Sequence, residues 1–156
     1  MIRRTINSDI EKLELIYNNA FESDSRYFPE NMNEDDGQLD LSPEVAWSNP
    51  QIIQLSVEYN GELIGGAIIT CSDSDANTLN RLYISPNWQN RGIGLFVWKH
   101  IEKTYFNECG WKLATPTCLI NNACFYVNKC GFVISSMTDV ADDGIGMFVF
   151  TKRSQI

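Results

Sequence analysis

The chain has 156 residues, 44% of them hydrophobic, which is material for one core and predicts a single domain over residues 1–156. Its net charge of −8 argues against a nucleic-acid partner, because affinity for a phosphate backbone comes from clustered Lys and Arg. With no N-terminal apolar h-region and no apolar run of about 18 residues, the expectation is a soluble, cytoplasmic protein without a membrane partner.

Residues 2–6, IRRTI, read as a short strand, and Ser8-Asp9-Ile10-Glu11 as a capping box opening a helix. Ile10, Leu13, Tyr17 and Ala20 recur at helical spacing and give that helix an inward face. Between Glu22 and Glu44 stand eight acidic residues against Arg26 alone. Pro29, Gly37 and Pro43 break this stretch into an irregular connection, with a short helix expected at PEVAWSN. IIQLSVEYN and GELIGGAIIT then read as strands of a hairpin turning at Asn60-Gly61, followed by a strand TLNRLYI. Gly94, Trp98, Ile101 and Tyr105 mark a helix ending before Gly110, and WKLATP is a strand, so strand, helix and strand form a crossover. A short helix is expected from about Asn122 to Cys130, before the strands FVISSMT and GMFVFTK. Cys71, Cys109, Cys118, Cys124 and Cys130 have no C-x-x-C spacing, and His100 is the sole histidine, so buried free thiols and no metal site are expected.

The chemistry concentrates in SPNWQNRGIG, residues 85–94, where a strand hands over to a helix. The free N–H groups and dipole of a helix N-terminus suit an anion, and Gly92 and Gly94 let it reach the backbone. Gln89 and Arg91 can add side-chain donors. A Walker loop is excluded because Leu95 and Phe96 follow Gly94, and a dinucleotide fingerprint because Val97 stands at its third small position.

The Gln89-x-x-Gly92-x-Gly94 pattern after LYISPNW resembles the acyl-CoA loop of the GCN5-related N-acetyltransferase (GNAT) superfamily. A second segment, WKLATPTCLINNACFYVNKCGF, is similar to that family's later strand and helix. The resemblance covers roughly residues 78–132 and implies an α/β (α+β) GNAT fold: a central, twisted, mixed but mostly antiparallel sheet flanked by helices. It implies acetyl-CoA as co-substrate. The diphosphate would lie at Gln89, Asn90, Arg91, Gly92, Ile93 and Gly94, and the pantetheine arm along Leu82, Tyr83 and Ile84, with an oxyanion donor near the Ile84 N–H. Asn122 and Phe125 would also contact the cofactor, with Asn121 an equal claimant to Asn122 by spacing; Asn122 alternatively reads as a helix cap.

Tyr126 is the candidate for the general acid that protonates the leaving thiolate. Its spacing departs from the family pattern, since four residues rather than three separate it from Gly131, which puts Val127 in the tyrosine slot by strict count. Either the helix is locally wider or Tyr126 faces elsewhere. No general base stands out; Glu22, Asp24 and Glu34 are positional candidates. The expectation is transfer of an acetyl group to a primary amine of a small cationic molecule or peptide, by direct attack in a ternary complex. The alternative is a non-catalytic acyl-CoA sensor. A homodimer is left open.

Overall fold

The computed structural model describes residues 1–24, 27, 47–138, 140, 142 and 144–154. Its strands are β1 (Ile2–Arg4), β2 (Ile52–Tyr59), β3 (Glu62–Thr70), β4 (Asn77–Ile84), β5 (Trp111–Pro116), β6 (Val133–Met137) and β7 (Met147–Lys152). The helices are α1 (Ile10–Asp24), α2 (Ile93–Thr104) and α3 (Ile120–Cys124), and α3 runs on into a π-helical turn at Phe125–Lys129. The strands form one sheet in the order β1-β2-β3-β4-β5-β7-β6. Every neighbouring pair is antiparallel except β4 and β5, which α2 joins as a parallel crossover. This is the mixed, mostly antiparallel sheet expected.

The hairpin turns where the sequence predicts, with Asn60 and Gly61 both at positive φ, 50° and 79°, as a two-residue turn that follows strand twist requires. Helices cover both faces. α1 packs on β3 and β4, burying Leu13, Ile16 and Ala20 with Tyr83. On the larger core side Val97, Trp98 and Ile101 of α2 meet Leu113, Phe132 and Phe150. Trp98 is its hub, with Trp111 and Phe132 rings centred 5.2 and 5.0 Å away; burying each such ring stabilises the fold by about 2–3 kcal/mol.

Entry into α1 differs from the expected capping box. A 3₁₀ turn, Asn7–Asp9, precedes the helix, and the cap is not Ser8: Asp9 accepts the Ile6 N–H at 3.0 Å. The same buried carboxylate takes both prongs of the Arg3 guanidinium at 2.6 and 3.0 Å and the Ser56 hydroxyl at 3.1 Å, while Arg3 also reaches Glu58 at 2.6 Å. These bonds tie β1, β2 and the start of α1 together. They hold the Asp9 carboxyl down at about 2.

Cys109 and Cys124 are exposed and Cys130 is the buried one of the five cysteines, so the expectation of buried thiols fails at those two. Of the expected PEVAWSN helix, Trp47 and Ser48 are helical and residues 43–46 lie outside the described residues. Most of the acidic stretch, Glu34 included, lies outside them too. Among the described residues no helix is long and apolar enough to cross a membrane.

The feature that positions the site is a split in the sheet. β4 and β5 pair only at Asn77 with Trp111 and Thr78 with Lys112. Just beyond, β4 carries a bulge: Ile68 faces Arg81 while Ile69 faces Leu79, so Asn80 is the extra residue. A bulge bends its strand and increases the local twist. β4 therefore turns away from β5, and residues 79–84 keep their partner β3 but have no strand partner on the other side among the described residues.

Candidate active site

The split opens into a cavity of about 1220 Å³ bounded by α1, β4, the 85–94 loop, β5 and α3. Along its β4 wall the backbone polarity follows from the ladder. The Ser85 N–H donates to the Ile64 carbonyl at 2.7 Å. Antiparallel bonding alternates, so Tyr83 also faces β3, whereas the main-chain groups of Leu82 and Ile84 face the gap. An extended ligand arm can thus bond to this edge as an added strand. Tyr83 turns its ring the other way, over Gly66 and against Tyr17, with ring centres 5.4 Å apart. A side chain at residue 66 would come within 2.5 Å of the Tyr83 hydroxyl, hence the glycine.

At the top of β4 the chain makes a 3₁₀ turn, Pro86–Trp88, and enters α2 through Gly92, its N-cap, at φ 80°. Open space surrounds Gly92, so its glycine answers to the left-handed backbone and not to crowding. Gly94 differs: a Cβ there would lie 3.4 Å from the Phe125 ring, which brings α3 against the loop. Asn90 also has positive φ, 62°. The first intrahelical bond is Phe96 N–H to Gly92 O, so the preceding amides form a nest of donors at the positive end of the dipole.

Gln89 and Arg91 behave differently from each other. The Gln89 amide donates to the Ile84 carbonyl at 2.9 Å, so this side chain caps the open end of β4 and is not simply a donor held toward an anion. Arg91 is exposed, its guanidinium 5.0 Å above the Trp88 ring. Gln89, Asn90, Gly92, Ile93 and Gly94 line the cavity with Leu82, Tyr83 and Ile84.

The far wall resolves the spacing of Tyr126. The helix is locally wider: the Cys130 N–H bonds to the carbonyl of Phe125, five residues back, at 3.2 Å. A π turn accommodates one extra residue, which is the extra residue before Gly131. It turns Tyr126 inward to line the cavity and leaves Val127 39% exposed outside it. The Tyr126 ring packs against Phe125, Phe132 and Phe150. Burial, with a smaller contribution from Cys130, pushes its phenol above the ordinary range.

A phenol near 10 is already a weaker acid than a thiol near 8.5, by about 2 kcal/mol. A thiolate stranded in the same apolar surroundings is raised as well, so burying both groups together keeps that gap from widening.

Asn122 is not the helix cap. α3 starts at Ile120 with Leu119 as N-cap, and Asn122 sits within the first turn, its side chain free to face the cavity it lines. Asn121 lines it too, but its amide reaches the Tyr27 hydroxyl at 3.4 Å. His100 is exposed on α2 beside Thr104, away from the cavity lining.

On the α1 side the lining is aromatic, with Tyr17, Phe21, Tyr27 and Tyr83; Arg81 lies 4.1 Å above the Tyr17 ring. Among the described lining residues Asp24 is the one carboxylate. Glu22 is exposed outside the lining. Sequence reasoning missed Arg81, Trp88 and Thr115 as lining residues. Trp88 had a signal in its place three residues before Arg91, whereas Arg81 and the buried Thr115 join the lining from β4 and β5, two strands that only the folded sheet brings together.

Comparisons with known proteins show the family and the fold. Residues 51–134, more than half of the chain, match the model of the acetyltransferase (GNAT) domain. An uncharacterized protein of Bacillus subtilis (strain 168), YrkN, is 35% identical over 103 residues, 64% of this chain and 56% of that protein; the chain thus matches just over half the length of this relative. The fold resembles that of the PaiA N-acetyltransferase of Thermoplasma acidophilum, solved with coenzyme A, at TM-score 0.70 and 18% identity over 99% of this chain and 98% of that one. It also resembles a GNAT family acetyltransferase of Elizabethkingia anophelis with acetyl-CoA bound, at TM-score 0.60 and 18% identity over 81% and 94% of the two chains. With a glycine loop at a helix N-terminus, a split sheet beneath it and a family model matching both, the chain belongs to the GNAT acetyltransferase family.

Proposed function

We propose that the protein transfers the acetyl group of acetyl-CoA to a primary amine by direct attack within a ternary complex. The observation that carries this reading is the edge of β4 that has no second strand partner among the described residues and that lines one cavity with Gly92 and Tyr126. The diphosphate binds at the Gln89–Gly94 loop through backbone donors, with Arg91 adding charge. The pantetheine arm lies along Leu82–Ile84, and the inward Ile84 N–H takes the developing oxyanion. Asn122 and Phe125 contact the cofactor from α3. Tyr126 returns a proton to the departing thiolate, and Asp24, acting through water, takes the proton of the amine.

The acceptor enters between α1 and β5. The acidic run from Glu22 to Glu44 begins in the last turn of α1, where Asp24 lines the cavity, and such a field draws a cation toward the cleft. The acceptor class is therefore a cationic primary amine, of a small molecule or a basic peptide end. The test compares kcat/KM for cationic, neutral and anionic amines as salt rises. The cationic amine should lead at low salt and fall back as the Debye length shrinks below about 10 Å. Changing Glu34, Asp35 and Asp36 to amides should raise its KM and flatten that slope; an unchanged KM and slope would count against the assignment.

A second reading, a module that senses acyl-CoA without turning it over, is favoured by one observation: Asp24 is the single carboxylate among the described lining residues.

A further inference from the structure

Trp88 belongs to none of the roles above, yet it joins three parts of the molecule. It ends the 3₁₀ turn that follows β4, lines the cavity, and packs half-buried against the main core. On its surroundings lie two exposed side chains. The Tyr59 ring, from the end of β2, is centred 5.2 Å from the indole at 55°, and the Arg91 guanidinium sits 5.0 Å over it. The ring is thus anchored while the cation it carries stays in solvent.

We propose that Trp88, backed by Tyr59, is a positioning residue that presets Arg91 for the diphosphate of acetyl-CoA. This rests on the reading of the 85–94 loop as the diphosphate site. A guanidinium stacked on a ring face keeps its five N–H groups in its own plane, so the stack leaves its edges available for bidentate contact with phosphate oxygens. An unstacked arginine on an exposed loop would lose most of its rotamer freedom on taking the ligand. One already held by an anchored ring loses less, and the saving appears as affinity. Lysine cannot substitute, because its ammonium is a point charge with no plane to stack.

The experiment titrates acetyl-CoA, and S-acetylpantetheine, which carries no diphosphate or nucleotide, into the parent protein and into Trp88→Leu, Trp88→Phe, Arg91→Ala, Arg91→Lys and the Trp88→Leu/Arg91→Ala pair. Thermal midpoints check that each is folded. Trp88→Leu should weaken acetyl-CoA about 2–5-fold, the range of an exposed cation–π contact. Trp88→Phe should restore most of the loss, and Arg91→Lys, on the exposed loop, should weaken binding although it keeps the charge. Neither Trp88 variant should alter S-acetylpantetheine binding, and Trp88→Leu should add nothing once Arg91 is alanine. An equal loss for both ligands, or the same loss on the Arg91→Ala background, would overturn the proposal and make Trp88 a packing residue. So would full acetyl-CoA affinity in Arg91→Lys beside a loss in Arg91→Ala. Unchanged acetyl-CoA affinity in Arg91→Ala would instead remove Arg91 from the diphosphate site, and this role of Trp88 with it.

Discussion

Replacing Gly92 separates backbone strain from ligand electrostatics, because nothing lies within 4 Å of a Cβ placed there. Gly92→Ala meets no clash but must hold φ near 80°. A left-handed backbone costs an L-residue about 1–2 kcal/mol, which in a domain of this size lowers the thermal midpoint by about 2–8 °C. Gly92→Glu carries the same strain and adds a carboxylate at the amide nest. At about 5 Å from one phosphate charge, with an effective dielectric near 20, the repulsion is about 3 kcal/mol, or roughly 100-fold in affinity. Because Gly92 is exposed, salt screens part of this. Calorimetric titration of acetyl-CoA into both variants, at low and at physiological salt, should find Gly92→Glu far weaker than Gly92→Ala, with the difference shrinking as salt rises. Equal affinities for two folded variants would refute the placement of the diphosphate.

Tyr126→Phe should lower kcat by about 100-fold with little change in acetyl-CoA affinity, while Val127→Ala should leave both alone; full kcat in the phenylalanine variant makes the tyrosine a packing residue. Since burial raises the Tyr126 pKa, the phenol keeps its proton while the amine is losing its own, and kcat should show no loss from phenol ionisation below about pH 10. Asp9 has its folded pKa depressed to about 2, so its stabilisation is complete above about pH 4 and is lost as pH falls toward 2. Asp9→Asn should therefore lower stability by about 2 kcal/mol at neutral pH and flatten acid unfolding over that window; an unaltered acid profile would show that the Arg3–Asp9–Ser56 network does not supply it.

Local signals carried most of the architecture. The Asn60-Gly61 turn, the apolar spacing of α2 and the strand WKLATP each depend on neighbours in the chain, and each stands where the letters place it. The glycine loop was legible for the same reason, since the left-handed backbone and the helix start need those residues at that spacing. What could not be read depends on contacts far apart in sequence. The bulge at Asn80 shows only when β4 is laid against β3, and it opens the cavity that Arg81 and Thr115 line. The Gln89 side chain bonds to a carbonyl five residues back that the split leaves without a strand partner among the described residues, a contact the letters do not show. Tyr126 was legible as a question only: the extra residue before Gly131 was visible, and the π turn that absorbs it was not.

Release of free CoA thiol from acetyl-CoA, in the presence of a panel of primary amines, tests the central claim most directly. The account predicts that the protein binds acetyl-CoA and liberates thiol faster with a cationic amine than without one, in step with acetylation of that amine. Tight acetyl-CoA binding with no amine-dependent thiol release across the panel would contradict it, and would leave a cofactor-binding module in place of an enzyme.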